Sequence, residues 1–115
     1  GNTQDVSIEK ASYKKLTAEQ AKAIIDSGQP YILLDVRTVS EYNEKRINGA
    51  ISIPVDEIDK KANSELPDKS ALIMVYCLSG VRSSSAAKLL ISKGYTNIYD
   101  IGGIRDWPYD TVDGQ

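Results

Sequence analysis

The residues best placed to do chemistry are Cys77 and Arg82, the two ends of the stretch Cys77-Leu78-Ser79-Gly80-Val81-Arg82. An apolar run, Leu72-Ile73-Met74-Val75-Tyr76, leads into this stretch, and small and apolar residues at helical spacing follow it. Cys77 is therefore expected at the end of a buried strand, facing the first turn of a helix. Ser79 and Gly80 permit a tight turn whose amides point inward, and such amides form an anion-binding concavity. The helix start adds its own field. Arg82 adds a fixed positive charge with five donors. All three features lower a thiol pKa from the free value of about 8.5. A lone cysteine behind an apolar strand can also be a small buried hydrophobe. The turn, the helix start and the arginine together favour a nucleophile.

Two absences narrow the chemistry. The chain contains no histidine and a single cysteine. A Ser-His-Asp triad, a Cys-His dyad and a His-based metal site cannot be built from it. Neither can an internal disulfide or a zinc knuckle. No metal and no cofactor are expected. With no resolving thiol, any adduct on Cys77 has to pass to an acceptor outside the chain. The net charge of −2 argues against a nucleic-acid surface, which is normally basic and clustered. No apolar run approaches the ~20 residues of a membrane span. A cytoplasmic location is the default expectation, with an exported or anchored form left open because the chain opens on Gly1 without Met.

The scaffold around the turn reads as alternating strands and helices. At 115 residues, 41% apolar and 26% charged, the chain suits one globular domain. Residues 1–11 are polar and unpatterned and read as a flexible arm, leaving 12–115 for the domain. Residues 12–16 suit a short edge strand. Thr17 and Gln20 have the spacing of a capping box, and Gly28 with Pro30 ends the helix they begin. Tyr31 to Arg37 is a second apolar run, of the kind found in central parallel strands. Asp35 and Arg37 at its end share a face. Ser40 to Arg46 suits a short helix with Ser40 as its cap. A strand over 50–53, a helix over 56–66 and a strand over 71–76 follow. The helix after the turn runs to Gly94. A strand over 97–101 and a sharp turn at Gly102-Gly103 close the pattern, which is that of an α/β fold with a mostly parallel sheet. Ligands of such sheets gather at the carboxyl ends of the strands, where Asp35, Arg37 and Cys77 all stand.

The motifs, taken in order, resemble the rhodanese-like sulfurtransferase domain. Tyr76 to Ser83 resembles the active-site loop of that family. Leu34-Asp35-Val36-Arg37 resembles its Asp-x-Arg strand end. Glu41-Tyr42, then Ile47-Asn48-Gly49-Ala50-Ile51-Ser52-Ile53-Pro54, and finally Gly94-Tyr95 and Gly102-Gly103 through Trp107 complete the likeness, over roughly residues 14–112. Arg46 stands where family members often have His. The resemblance implies a three-layer fold with a central, mostly parallel five-stranded sheet flanked by helices. It also implies that Cys77 takes a sulfane sulfur from a donor such as thiosulfate, holds it as a persulfide, and gives it to cyanide, a thiol or a protein acceptor. Leu78, Ser79, Gly80, Val81 and Arg82 would cradle that sulfur. A carrier or sensing module that holds sulfur without turnover is the alternative reading. Phosphatase or arsenate-reductase-like chemistry ranks lower. The related phosphatases have a loop one residue longer, and this turn offers no evident general acid.

Five further residues carry two readings each. Asp35 is a general base or, preferably, a structural acceptor that fixes the loop or pairs with an arginine. Arg37 and Arg46 attract anionic donors or form ordinary ion pairs. Trp107 walls the pocket or closes the edge of the core. Ser83 is the best placed of the three successive serines to donate to the loop, although all three also suit the small first turn of a helix.

Overall fold

The apolar runs become the strands of one sheet, and that sheet sets where the turn sits. The computed structural model describes residues 12–114; the arm expected at 1–11 lies outside the described residues. In chain order the elements are β1 Lys14–Lys15, α1 Ala18–Asp26, β2 Ile32–Asp35, α2 Val39–Glu44, β3 Lys45–Ile47 and β4 Ile51–Ser52. Then come α3 Ile58–Glu65, β5 Ile73–Cys77, α4 Val81–Ser92, β6 Ile98–Gly103 and β7 Thr111–Asp113. Short 3₁₀ turns occupy Val55–Glu57 and Ile104–Asp106. Five strands pair in the order β1-β6-β5-β2-β4, every pair parallel. The five-stranded parallel sheet between helical layers is the architecture expected from the sequence.

β5 lies at the centre of the sheet and is buried on both faces. Ile73, Val75 and Cys77 pack with Leu34 and Val36 against Ile58 and Ala62 of α3 and Ala86, Ala87 and Leu90 of α4. Met74 and Tyr76 point to the opposite layer, with Leu33 and with Ala21 of α1. The period-two alternation of a strand thus puts the thiol on the α4 face, in line with the helix that follows it. The capping box of α1 forms as its spacing predicts: Gln20 N donates to Thr17 Oγ1 at 3.0 Å and Thr17 N donates to Gln20 Oε1 at 2.9 Å.

The structure corrects three local expectations. The cap of α2 is Thr38, not Ser40. Glu41 N donates to Thr38 Oγ1 at 3.1 Å and Thr38 N donates to Glu41 Oε1 at 3.0 Å. Thr38 has Glu three residues on and so completes a reciprocal box, which Ser40 with Asn43 does not. Lys45 and Arg46 are strand, not helix, because β3 pairs antiparallel with β7 in a separate two-stranded sheet. Neither three-residue strand is long enough to leave a periodic signal. The third correction concerns Gly102-Gly103, which is not a turn after a strand. β6 continues through Gly103 with a bulge: Val75 opposes Asp100, and the next pair is Cys77 with Gly103.

That bulge delivers the Gly103 backbone directly against the turn. A Cβ built on Gly103 would lie 2.7 Å from Ser79 Cα, and closer still to the carbonyl of Leu78. The obstacle is backbone, so it cannot rotate aside. Gly103→Ala is expected to cost about 1–3 kcal/mol as an overpacked site, lowering Tm by at least ~4 °C on the usual scale for small domains. Thermal unfolding of the variant checks this, and an unchanged Tm would show that the loop yields freely.

Candidate active site

Local sequence builds the site from one strand end, one turn and one helix start. Cys77 is the last residue of β5 and is only 1% exposed. Gly80 adopts φ +106° and ψ −10°, a left-handed conformation that glycine enters without a Cβ penalty. This reversal brings Gly80 N to 3.0 Å from Cys77 Sγ, to which it donates. α4 starts at the next residue, with Ser84 N bonded to Gly80 O at 3.2 Å. Leu78 and Val81 turn outward, 41% and 74% exposed.

The thiol pKa is set by opposing forces. Burial raises it, but the Ser83 hydroxyl and the amides of Ser83, Gly80 and Ser79 favour the thiolate more strongly, and the net pKa falls below the ordinary value. The activation expected from the turn thus joins one side chain, Ser83, to three backbone amides. Arg82 couples electrostatically to the sulfur, but its direct partner is elsewhere. Its Nη1 and Nη2 donate to Glu41 Oε1 and Oε2 at 2.8 and 3.1 Å. This fork-to-fork pair, together with the capping bonds from Thr38, holds the Glu41 carboxyl down at about 2. Two of the five Arg82 donors are spent on it, and the remainder stay available to an anion at the turn.

Asp35 and Arg37 form a second, deeper pair. Both are buried. Arg37 Nη2 donates to Asp35 Oδ2 at 2.7 Å, Arg37 Nε reaches Oδ1 at 3.1 Å, and Arg37 N bonds Oδ1 at 2.9 Å. The guanidinium also donates to the carbonyl of Lys45. Of the two readings of Asp35, the geometry matches the structural acceptor. Arg46 stays away from the turn: it lies over the Tyr42 ring at 4.8 Å and donates to the carbonyls of Tyr42 and Gly114. Trp107 fits both of its readings. It packs against the α1-side core and helps line a cavity of about 810 Å³ together with Leu78, Arg37, Glu41 and Arg105. Ser83 is fully buried beneath the turn, as the best-placed serine should be.

Three participants were not singled out from the sequence. Glu41 was noted only as part of a motif, although its spacing from Thr38 signals the box that presents it to Arg82. Asp100 is buried within β6, where its Oδ1 accepts from Ser83 Oγ at 2.8 Å and Gly102 N at 2.9 Å. The Asp-x-Gly spacing is its one local sign. Arg105 N donates to Leu78 O at 3.1 Å and pins the outer side of the turn; a backbone bond of this kind leaves no mark in sequence.

Fold and site together define a parallel α/β domain with a thiol in an amide-lined turn at the carboxyl edge of the sheet. The family description "Rhodanese-like domain" matches residues 17–109, and the chain belongs to that family. It is similar to the thiosulfate sulfurtransferase PspE of Escherichia coli (strain K12), at 35% identity over 70% of this chain and 78% of that protein. It is also similar to the putative sulfur carrier protein YrkF of Bacillus subtilis (strain 168), at 34% identity over 84% of this chain and 52% of that protein. The crystal structure of the Alr3790 protein from Anabaena superposes with a TM-score of 0.80 at 32% identity, covering 86% of this chain and 92% of that one.

Two outcomes follow from the site. The pH midpoint for iodoacetamide alkylation of Cys77 is expected below the ordinary thiol value of about 8.5; a midpoint at or above that value would show that burial, not the amides, prevails. The Glu41 pair supplies a second. Its folded pKa of about 2 lies below the 4.5 of an unperturbed Glu, so its stabilisation is present above pH 4.5 and lost as pH falls toward 2. Glu41→Gln is expected to cost on the order of 1 kcal/mol near neutrality, given partial exposure. Denaturant titrations at several pH values should show that deficit closing across the same acidic window.

Proposed function

We propose that this domain is a rhodanese-type sulfurtransferase in which Cys77 is the catalytic residue and carries a persulfide. The observation that carries the reading is the six-residue turn from Cys77 to Arg82. Gly80 N donates to Sγ, and a loop of this length suits an adduct about the size of one sulfur atom. In the first step the Cys77 thiolate attacks the outer sulfur of a donor such as thiosulfate. An S–S bond forms to Sγ, the donor's own S–S bond breaks, and sulfite leaves with the electron pair. The persulfide anion then sits where the amides of Ser79, Gly80 and Ser83 and the free donors of Arg82 can stabilise it. In the second step a nucleophile such as cyanide attacks the terminal sulfur, thiocyanate departs and the thiolate returns. No proton transfer is required for either bond change with these reactants, which agrees with the absence of histidine. The assignment of the domain to residues 12–115 belongs to this reading.

The nearby carboxylates speak against phosphate-ester hydrolysis. That reaction needs an acid to protonate the leaving group. Glu41 is ionised at any pH near neutrality and Asp35 is locked onto Arg37. The name of PspE supports thiosulfate as donor. The name of YrkF favours the second reading, a carrier that accepts sulfur and releases it only to a partner.

A thiosulfate:cyanide assay separates the two. The transferase reading expects thiocyanate production that falls at least ~1,000-fold in Cys77→Ser, the magnitude typical of losing a nucleophile. No turnover, with a one-sulfur mass gain on Cys77 after donor treatment, would indicate the carrier. No adduct at all would sink both.

A further inference from the structure

We infer that Glu41 is a specificity-determining residue: it cancels the charge of Arg82 and so makes the turn select sulfur donors by charge, favouring monoanions over dianions. The inference rests on the sulfurtransferase reading and deepens it. Arg82 is the one cation in the stretch from Cys77 to Arg82. Its Nη1 and Nη2 donate to the two oxygens of Glu41 at 2.8 and 3.1 Å. The pair is partly exposed at both ends, so an anion arriving at the turn meets the two charges together. Glu41 is ionised across the neutral range, so the cancellation persists there.

The other charges around the turn leave no positive surplus. Arg37 is matched by Asp35, with Nη2 at 2.7 Å from Oδ2. In the cavity of about 810 Å³, Lys45 and Arg105 are balanced by Glu44 and Asp113. In the hollow of about 290 Å³ beside Ser79 and Gly80, Lys15 is balanced by Asp100. What remains to hold an anion is uncharged: the Gly80 amide, 3.0 Å from Sγ, and the start of α4. Peptide dipoles suit one small, singly charged atom. They do not offset a second negative charge as an uncompensated guanidinium does.

Thiosulfate and methanethiosulfonate separate charge from shape. They have nearly the same size and the same outer sulfur, but a methyl group replaces one charged oxygen, so the first is a dianion and the second a monoanion. With the second donor the Cys77 thiolate attacks the outer sulfur, an S–S bond forms to Sγ, the donor's S–S bond breaks, and methanesulfinate leaves with the electron pair. Glu41→Gln retains the capping box, because glutamine also serves at N3, and uncovers one positive charge. At low, fixed ionic strength it should raise kcat/KM about ten-fold for thiosulfate and about three-fold for methanethiosulfonate, because the Coulomb gain scales with donor charge. Arg82→Gln should move the ratio of the two the opposite way. The double variant, with neither charge, should return the ratio to within about two-fold of the wild-type value. In the wild-type protein, raising NaCl from about 20 to about 200 mM should lower kcat/KM for thiosulfate by less than about two-fold.

An unchanged donor ratio in Glu41→Gln would mean that the pair only braces the start of α4, and would overturn the inference. So would a double variant that keeps the Arg82→Gln ratio, or a wild-type rate that falls steeply with salt. If Glu41→Gln does not fold, the double variant and the salt dependence decide. If neither donor turns over, the sulfurtransferase reading fails, and sulfate still tests the charge. The sulfate concentration that half-protects Cys77 from iodoacetamide, a neutral reagent, should drop about ten-fold in Glu41→Gln; an unchanged concentration would overturn the inference.

Discussion

The constraint on which this structure depends is that the backbone amides of one turn must face a sulfur. Amides cannot be moved one at a time as side chains can; their directions are the conformation of the turn. A turn that stabilises an anion at Sγ must therefore be immobilised as a whole. The chain does this from three sides. Gly103 at the end of β6 and the amide of Arg105 in the 3₁₀ turn after it press and pin the turn. Ser83 anchors it from below through Asp100. Glu41 holds Arg82 from α2. Asp100 and Gly103 belong to β6 and Glu41 to α2, so the geometry at Cys77 is a property of the sheet edge rather than of the local hexapeptide.

The buried Asp35–Arg37 pair has a different job. Burying two charges costs several kcal/mol per ion, and good geometry only offsets that cost. The pair is therefore a poor source of net stability. It does fix position. Arg37 ties the end of β2 to the carbonyl of Lys45 in β3, while the buried Tyr76 hydroxyl accepts from Ile47 N at 3.0 Å. Between them they attach the small antiparallel sheet to the parallel one. Burial drives the Tyr76 hydroxyl well above the usual phenol range, so it stays neutral and remains the acceptor of that bond. The cavity beside Leu78 is lined by Lys45, Thr111 and Asp113 of the small sheet and by Arg37, Leu78 and Ile104 just past the ends of parallel strands, and these two bonds hold the two sets together.

What could be read from the sequence follows from the range of each interaction. β2 and β5 are continuous apolar runs, and the turn between β5 and α4 carries glycine, serine and arginine at meaningful positions; these are local signals. The capping box of α1 is local too. α2 illustrates the limit: the helix was visible, but choosing Ser40 over Thr38 missed the box and with it the residue that holds Arg82. β3 and β7 became strands only by pairing with each other across 64 residues of chain, and three-residue strands carry no period to detect. Asp100 and Gly103 matter because a β-bulge places them beneath and against a turn some twenty residues earlier in the sequence. The Asp-x-Gly spacing of Asp100 and Gly102 signals their own local bond but not the contact with the distant turn. Arg46 shows the converse: its place within a family motif suggested a site role, but the strand pairing carries it onto Tyr42 instead.

The near-complete burial of Cys77 bears on how sulfur could leave. With Cys77 1% exposed and its neighbours Leu78 and Val81 at the surface, an acceptor of any size meets the turn before it meets the thiol. A bound sulfane atom extends the reactive centre by one S–S bond, about 2.05 Å. In the proposed reaction the loaded state would thus be reached by nucleophiles that the empty state excludes. A small donor has to reach Sγ itself, whereas an acceptor needs to reach only the terminal sulfur. The cavity of about 810 Å³ beyond Leu78 is far larger than thiosulfate and lies against that turn. Size selection in the proposed reaction would therefore fall on the donor step, and the acceptor step is the one with room for a larger thiol.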